Sequence, residues 1–250
     1  MRLLLVNDDG IHAEGINKLA MELEKKHEVT IVAPNDERSA QSHALTLRKP
    51  LIVKEVKLEG IKSRAYSVSG TPADCVRIAL DQLIKEPVDL VISGINKGLN
   101  VGMDVLYSGT VSAAIEANLY GIPSMALSAE WNDGNINYEV AIKYGSIIFE
   151  KMKDELLKNK MIININTPYL DIDEVKGIKV CRVGGVVYDY YIMEDNGNNG
   201  QSTFVAGGRE NKAPEKDTDR FYIAQGYVTV TPLQYNLTNF DLIDRVESWL

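Results

Sequence analysis

Two adjacent aspartates follow directly on the first apolar run of this chain. Leu3 to Val6 is typical of a strand that is buried on both faces, and Asp8 and Asp9 come just after it. Two carboxylates ~4 Å apart repel by about 4 kcal/mol at an effective dielectric constant of 20, a cost that a bound divalent cation would offset. Both side chains reach one site only if the backbone turns there, for which Gly10 is suited. The alternative is a solvated loop end, or acids that complement the dipole of the following helix.

Two further polar segments follow later apolar runs. The second run leads into a loop that contains Ser39, whose hydroxyl oxygen suits a hard cation, although a serine at such a place is more often a loop or helix-cap residue. The next run ends near residue 92, and three glycines lie between residues 93 and 102, where they allow close backbone approach to a ligand. Asn96 and Asn100 offer amide oxygens and nitrogens in the same loop.

The fourth segment is the turn Ser108-Gly109-Thr110, which opens a helix of small residues. Free backbone N–H groups and hydroxyls at a helix N-terminus form a phosphate site, and a plain helix cap is the alternative. Because open α/β sheets bind ligands at the carboxyl ends of their strands, we expect the four segments to converge on one crevice. Their oxygen ligands suit Mg²⁺, Mn²⁺ or Ca²⁺ rather than zinc.

A carboxylate-bound metal beside a phosphate-binding helix start predicts hydrolysis of a phosphate ester by a metal-activated water. Asp8 and Asp9 are the charged candidates in this set to orient or deprotonate that water, and the sequence does not decide which of them takes the proton. The first strand is not followed by G-x-G-x-x-G, and G-x-x-x-x-G-K-[ST] occurs nowhere, so neither nicotinamide binding nor a P-loop is supported.

Two other functions compete with this one. A signalling receiver domain also carries an acidic pair after its first strand, but it needs a third aspartate, where the strand at 51–56 offers only Lys54 and Glu55. A haloacid-dehalogenase-type phosphatase forms a covalent aspartyl intermediate, and its acids follow a D-x-D pattern rather than standing side by side. The sequence favours the metal-dependent phosphatase over both.

The elements that must position these residues alternate between strands and helices. Strands are predicted at 3–6, 29–33, 88–92, 124–127 and 161–165, with a strand pair within 50–68, and helices at 15–26, 73–84, 110–119 and 140–157. Thr71 is expected to cap the second helix, with Pro72 at its first position. This alternation is typical of a doubly wound, mostly parallel, Rossmann-like α/β sheet.

Beyond about residue 175 the pattern changes. Strands are predicted at 178–187, 188–193 and 227–231, a turn at 196–200, and a closing helix at 241–250. We therefore predict one domain over residues 1–250, with a Rossmann-like core at 1–175 and a β-rich extension at 176–250 that contains a hairpin and a C-terminal helix. The extension is expected to serve as an oligomer contact.

Composition limits the partners and the compartment. Hydrophobic residues make up 45% and charged residues 25%, which is ordinary for a globular protein, and the formal charge of −8 argues against duplex nucleic acid as a partner. Cys75 and Cys181 form neither a disulfide framework nor a zinc signature. We find no signal peptide and no apolar run suited to a bilayer, so we expect a soluble cytoplasmic protein without a membrane partner.

Five ordered motifs resemble the SurE survival-protein family, whose members are metal-dependent 5′-nucleotidases. The motifs are N-D-D-G at 7–10, E-R-S at 37–39, S-G-T-P-A-D-C-V at 69–76, S-G-I-N-K-G-L-N-V-G at 93–102 and Y-S-G-T-V at 107–111. Residues 226–233, G-Y-V-T-V-T-P-L, are similar to the closing strand of the family, so the resemblance covers essentially the whole chain.

The resemblance implies one divalent metal cation per subunit, Mg²⁺ or Mn²⁺. Its ligands would be Asp8, Asp9, Ser39 and Asn96. The phosphate of the substrate would lie near Asn100 and near Ser108, Gly109 and Thr110. The implied substrates are nucleoside 5′-monophosphates, and 3′-monophosphates and other phosphoesters are further possible substrates. The implied assembly is a homodimer or homotetramer formed through the C-terminal extension.

Two positions depart from the usual family pattern. Ala40 stands where glycine is usual after the serine, which could alter the loop that presents Ser39, because glycine permits backbone angles that alanine resists. Glu116-Ala117-Asn118 replaces the commoner Glu-Gly. His43 is the one histidine worth testing for a part in the site. Asp104 could contact the substrate or support the site, but the sequence favours a loop acid that caps a turn.

Overall fold

The computed structural model describes residues 1–186, 189–196, 202–209 and 213–250. Its strands are β1 Arg2–Val6, β2 Glu28–Pro34, β3 Val53–Val56, β4 Arg64–Val68, β5 Leu90–Lys97, β6 Ser124–Ala129, β7 Trp131–Asn132, β8 Asn135–Ile136, β9 Ile162–Thr167, β10 Ile178–Val180, β11 Asp189–Asn196, β12 Ser202–Arg209 and β13 Val228–Leu233. Its α-helices are α1 Glu14–Leu23, α2 Pro72–Ile78, α3 Gly109–Leu119, α4 Tyr138–Asn159, α5 Asp219–Ile223 and α6 Ile243–Glu247.

A nine-stranded sheet runs through the molecule in the order β10-β13-β9-β6-β5-β1-β2-β4-β3. Strands β4, β2, β1, β5, β6 and β9 pair in parallel, while β3 and β13 join antiparallel to their neighbours β4 and β9. The chain proceeds from β1 outward to β2 and β4 and then returns to place β5 on the other side of β1. Such a reversal opens a crevice at the carboxyl ends of β1 and β5, which is where sheets of this class bind ligands.

The continuous apolar run of β1 arises because both faces of the sheet are covered. Leu3 and Leu5 belong to the core cluster that includes residues of α1 and α4, whereas Leu4 and Val6 belong to the cluster that includes residues of α2 and α3. Successive strand side chains point to opposite faces, so each face takes every second residue. The predicted doubly wound α/β sheet is confirmed.

Most predicted elements of the core are confirmed, and α2 begins as expected. Thr71 accepts a hydrogen bond from the Asp74 N–H, the Asp74 carboxylate accepts one from the Thr71 N–H, and Pro72 occupies the first helical position. This reciprocal cap satisfies two backbone donors that the helix itself leaves unpaired. A π-helical turn at Ala79–Leu83 continues the predicted helix to its expected end.

The prediction for the third buried strand of the core was too short. Residues 93–97, expected to lie in a loop, complete β5, which pairs with β6 across an irregularity between Gly94 and Asn96. Ser93 and Ile95 are buried, so the polar and glycine residues that suggested a loop are instead held within the sheet. The strand therefore carries Asn96 directly to the carboxyl edge.

The region beyond residue 175 differs from its prediction in two places. The strand predicted at 178–187 ends at Val180 and is followed by an isolated bridge between Arg182 and Thr218. The helix predicted at 241–250 is a 3₁₀ turn at Phe240–Leu242 followed by the short, exposed α6. Both segments are only partly packed against the rest of the chain, so periodicity alone overestimated their lengths.

The predicted hairpin is present as the antiparallel pair β11 and β12, and the turn predicted at 196–200 lies largely outside the described residues. Strands β10 and β13 extend the main sheet. The division into a core and an extension within one domain stays a prediction. Among the described residues, no helix is long and apolar enough to cross a bilayer.

Candidate active site

The backbone turns immediately after β1, as the sequence requires. The Asn7 side chain donates from Nδ2 to the Gly10 carbonyl at 2.8 Å, and its Oδ1 accepts from the Gly10 N–H at 3.2 Å. Gly10 adopts φ +100°, in the left-handed region that favours glycine. Asn7 thus closes the turn that presents Asp8 and Asp9.

Asp8 is buried against the start of α3. The Thr110 hydroxyl donates a hydrogen bond to Asp8 Oδ1. A Cβ atom on Gly109 would lie 2.8 Å from Asp8 Cβ and 2.9 Å from Asp8 Oδ2, so only glycine allows this approach. The helix start predicted as a phosphate site is therefore in direct contact with Asp8.

Asp9 lies between β1 and β5. Its Oδ2 accepts a hydrogen bond from the Lys97 N–H at 3.0 Å. Burial, followed by the charge of Asp8, raises the pKa of Asp9 to about 6, against the opposing effect of the Lys97 amide. Burial likewise raises the pKa of Asp8. Each carboxylate is therefore costly to keep charged without a cation.

The donor set of the crevice fits a hard divalent cation. Among the described residues, no group of three or more His, Cys, Asp or Glu side chains gathers in a way that could hold a metal. Two carboxylates must therefore be completed by neutral oxygens, as the sequence predicts for Ser39 and Asn96. Both of these residues line one cavity of about 330 Å³ together with Asp8.

The loop that carries Ser39 is tied to the acidic pair through its backbone. The Arg38 N–H donates to the Asp8 carbonyl at 2.7 Å, and the Ser42 N–H donates to the Tyr107 carbonyl at 3.0 Å. The Ser39 hydroxyl donates to Glu37 Oε1 at 2.6 Å. The loop thus spans the cavity from the turn after β1 to the turn before α3.

The backbone of Ala40 adopts a left-handed conformation, which is unfavourable for alanine. Its φ is +55°, which costs a residue with a Cβ atom about 1 kcal/mol relative to glycine. We expect Ala40→Gly to raise the free energy of unfolding by about 1 kcal/mol, measured by urea denaturation with a chelator present. The control is Ala141→Gly in the interior of α4, which is expected to lower it by about 1 to 2 kcal/mol, through helix propensity and the loss of a buried methyl group. A loss of stability from Ala40→Gly would contradict the assigned backbone conformation.

The predicted phosphate contacts divide into two groups. Ser108 and Asn100 line the same cavity as Asp8. Ser108 caps α3, because its Oγ accepts a hydrogen bond from the Val111 N–H at 3.1 Å. Gly109 and Thr110 instead contact Asp8, so their structural part is to join the helix start to the acidic pair.

Two buried asparagines that sequence reasoning missed fix the position of Asn100. Asn166 Oδ1 accepts from the Asn100 N–H at 2.7 Å and Asn166 Nδ2 donates to the Asn100 carbonyl at 3.1 Å. Asn164 Nδ2 donates to the same carbonyl at 2.8 Å, and Asn100 Nδ2 donates to Ser128 Oγ at 2.9 Å. The available signal was two asparagines alternating with isoleucine in an otherwise apolar strand.

Asn166→Ala is expected to lower the free energy of unfolding by about 2 to 4 kcal/mol, because it leaves a buried N–H and a buried carbonyl of Asn100 with fewer partners. Urea denaturation measures the change. Asn159→Ala, on the exposed end of α4, is the control and is expected to change stability by less than about 0.5 kcal/mol. Equal losses of stability in the two variants would contradict a stabilising role for the hydrogen bonds between Asn166 and the backbone of Asn100.

His43 anchors the Ser39 loop to α3. Its Nε2 lies 2.6 Å from Glu116 Oε2, and Glu116 Oε1 accepts from the Arg77 guanidinium. Burial raises the pKa of Glu116, but the hydrogen bonds from His43 and Arg77 outweigh it and hold the pKa below its ordinary value. Ala117, the second departure from the family pattern, is a fully buried residue of α3, and it belongs to the core cluster that includes residues of α2.

Asp104 lies in a short 3₁₀ helix, Gly102–Leu106, that precedes the Ser108 turn. Its carbonyl accepts from the Tyr107 N–H at 3.0 Å and from the Ser108 N–H at 3.1 Å. The residue also lines the cavity that contains Asp8 and Asn100. Asp104 therefore both supports the turn and faces the candidate site.

Known proteins resemble this chain over its full length. A family model described as "Survival protein SurE" matches residues 3–189. A protein of Clostridium botulinum (strain Kyoto / Type A2) named 5′-nucleotidase SurE is 50% identical over 248 residues, which is 99% of this chain and 98% of that relative. A protein of Clostridium tetani with the same name is 47% identical over 249 residues and covers 100% of both chains.

A solved structure agrees with the architecture. The crystal structure of the SurE protein from Aquifex aeolicus superposes with a TM-score of 0.84 at 36% sequence identity, covering 100% of this chain and 99% of that one. The strand order and the crevice described above therefore belong to a fold that is shared along the whole chain.

Proposed function

Because this chain belongs to the SurE family, we propose that it hydrolyses nucleoside 5′-monophosphates to nucleoside and phosphate at the crevice beside β1 and β5. The chain is a metal-dependent 5′-nucleotidase, a phosphoric monoester hydrolase. This assignment replaces the receiver-domain and dehalogenase-type alternatives that the sequence left open. The observation that carries it is the direct contact between buried Asp8, one of the two adjacent aspartates, and the capped start of α3.

Asp8, Asp9, Ser39 and Asn96 would hold the divalent cation, Mg²⁺ or Mn²⁺, one per subunit. When bound, the cation supplies a polarised phosphoryl oxygen and a water of lowered pKa. The raised pKa values of the aspartates support this assignment, because a cation favours their charged forms.

The chain's own groups would bind and orient the phosphate. Asn100 and Ser108 lie on the cavity wall, and the N-terminus of α3 presents backbone N–H groups that favour an anion. Gly109 and Thr110 hold that helix start against Asp8, so phosphate and cation would occupy adjoining positions. Asp9 is the more accessible of the two carboxylates and would accept the proton of the attacking water.

Phosphate release from a panel of nucleoside 5′- and 3′-monophosphates tests the proposal. The chelated protein is expected to release none, and restoring Mg²⁺ or Mn²⁺ is expected to start turnover, fastest on the 5′ series. If no nucleotide is hydrolysed by folded protein with metal restored, the substrate assignment is wrong.

The extension would join subunits into a homodimer or homotetramer. Several of its apolar side chains are exposed in the single chain, and patches of this kind mark interaction surfaces: Tyr191, Ile192, Phe204, Leu237, Phe240 and Trp249. Light scattering of the wild type is expected to give two or four chain masses, and Tyr191→Asp with Phe204→Asp is expected to give a smaller assembly. A monomeric wild type would contradict this proposal.

A further inference from the structure

A second cavity adjoins the candidate active site. Its volume is about 520 Å³, within the range of small-molecule sites of about 300–1,000 Å³. Leu99 and Asp104 line both this cavity and the one that contains Asp8, so the two spaces share a wall. A ligand whose phosphate lies near Asn100 can therefore extend into the second cavity without leaving the surface.

The second cavity has the chemistry of a nucleobase site rather than of a second phosphate site. Apolar side chains of Leu99, Val101 and Ile223 form much of its wall, and Trp131 lies beside them with half of its surface exposed. Its charged lining residues are one cation, Arg220, and two anions, Asp104 and Glu130, so a bound anion would meet more negative charge than positive charge. A planar, uncharged ring gains from the indole and the guanidinium, because bases stack on both.

The wall between the two cavities is held at both ends. The Gly98 N–H donates to the carbonyl of Ala129, two residues before Trp131, at 2.9 Å. At the other end, the Gly102 N–H donates to Asp219 Oδ2 at 2.9 Å, and Asp219 is fully buried. Asp219 and Arg220 are adjacent residues of α5, so the hydrogen bond to Gly102 also fixes the place of Arg220 beside the cavity.

The Arg220 side chain is itself positioned by packing. A Cβ atom on Gly102 would lie 3.1 Å from Arg220 Cδ, and one on Gly184 would lie 3.4 Å from Arg220 Cγ. The aliphatic stem of the arginine therefore lies across two glycines. Less side-chain entropy is lost when a preordered guanidinium stacks on a ligand.

Trp131 is presented by a tight hairpin. Strands β7 and β8 are joined by Asp133 and Gly134, both with positive φ, and such turns match the twist of paired strands. Glu130, the residue before the tryptophan, is fixed as well, because its carboxylate accepts a hydrogen bond from the Tyr169 N–H at 2.8 Å. The indole therefore stands at a defined place on the edge of the cavity.

We propose that this second cavity binds the base of the nucleoside monophosphate, with Trp131 and Arg220 as the stacking groups and Asp104 beside the ribose. The inference rests on the proposed function and specifies which part of the substrate each cavity takes. The carboxylate of Asp104 accepts hydrogen bonds from hydroxyl groups, and its place at the junction of the cavities is where the ribose must pass.

The test compares adenosine 5′-monophosphate with ribose 5-phosphate, which lacks the base. For the wild type, kcat/KM is expected to be higher for the nucleotide. For Trp131→Ala we expect the ratio of the two kcat/KM values to fall roughly 10-fold, mainly through KM of the nucleotide, whereas Trp131→Phe keeps most of the ratio because it keeps a ring. Tyr120→Ala removes an exposed aromatic side chain at the far end of α3 and is expected to leave the ratio unchanged.

The outcomes separate this inference from the function on which it rests. Equal kcat/KM values for both substrates in the wild type, or an unchanged ratio in Trp131→Ala, would overturn the base site while leaving the phosphatase in place. Hydrolysis of neither substrate by metal-loaded wild type would overturn the proposed function and this inference together. Ribose 5-phosphate turnover by Trp131→Ala also reports that the variant is folded.

Discussion

Asp9→Asn is expected to lower kcat/KM for phosphate release from adenosine 5′-monophosphate by ~100-fold or more at metal concentrations that saturate the wild type. The substitution keeps the size of the side chain and an oxygen that can accept the Lys97 N–H, so the local fold is retained. What is lost is one of the two negative charges that we propose offset the charge of the cation. A steady-state assay of released phosphate at several metal concentrations measures the effect.

The control for this substitution is Asp154→Asn, which removes one negative charge from an exposed position on α4. It is expected to leave kcat/KM within twofold of the wild type. Unchanged hydrolysis by Asp9→Asn would show that the acidic pair is not the cation site, and equal losses in both variants would point to net charge rather than to the site.

Asp9→Asn is also expected to stabilise the metal-free protein. The pKa of Asp9 rises from an ordinary value of 3.8 to about 6 in the folded chain, mainly through burial and then through the charge of Asp8. The folded state therefore holds more protons than the unfolded state between about pH 4 and pH 6, and the free energy of unfolding falls as pH rises through that window. The free energy of unfolding falls by up to about 3 kcal/mol across this window, since a shift of one pKa unit corresponds to about 1.4 kcal/mol.

Urea denaturation with a chelator present, at steps between pH 4 and pH 8, measures this dependence. At pH 8 we expect metal-free Asp9→Asn to exceed the wild type by about 1 to 3 kcal/mol and to show a smaller loss between pH 4 and pH 6. With saturating Mn²⁺ the order is expected to reverse, because only the wild type gains fully from binding. A metal-free variant that is less stable than the wild type at pH 8 would contradict the assigned burial of the carboxylate.

Short segments that carry their own signals allowed the sequence to indicate which residues would lie near the carboxyl edge of the sheet. The acidic pair after an apolar run, the glycine beside it and the capped start of α3 are local patterns, and each indicates both a backbone geometry and a position on the carboxyl edge of the sheet. The structure places Asp8, Ser39, Asn96, Asn100 and Ser108 on one cavity, whereas Asp9 lines a different cavity together with Lys97.

Contacts between distant segments were beyond such reasoning. The hydrogen bond from Thr110 to Asp8 joins residues 102 positions apart, and the one from Gly102 to Asp219 joins residues 117 positions apart. Asn166 was missed because the strand was predicted to end at residue 165, whereas β9 continues to Thr167. These pairs depend on how strands are ordered in the sheet, which periodicity does not contain.

The fold beyond residue 175 was predicted less well for a related reason. Its apolar residues are divided between the sheet, where Val228 and Val230 are buried, and exposed positions such as Tyr191 and Phe204. A pattern of apolar residues does not tell which of them pack within the chain and which would pack against another subunit. The bounds of β10 and α6 were overestimated on that account.

Titration of the chelated protein with Mn²⁺, with free Mn²⁺ and phosphate release followed on the same samples, tests the central claim most directly. Activity on adenosine 5′-monophosphate is expected to rise in step with binding and to reach its maximum at one Mn²⁺ per chain, while Asp9→Asn binds weakly and stays inactive. Phosphate release from the chelated wild type, or full activity in Asp9→Asn at the same metal concentrations, would contradict a cation held by the acidic pair.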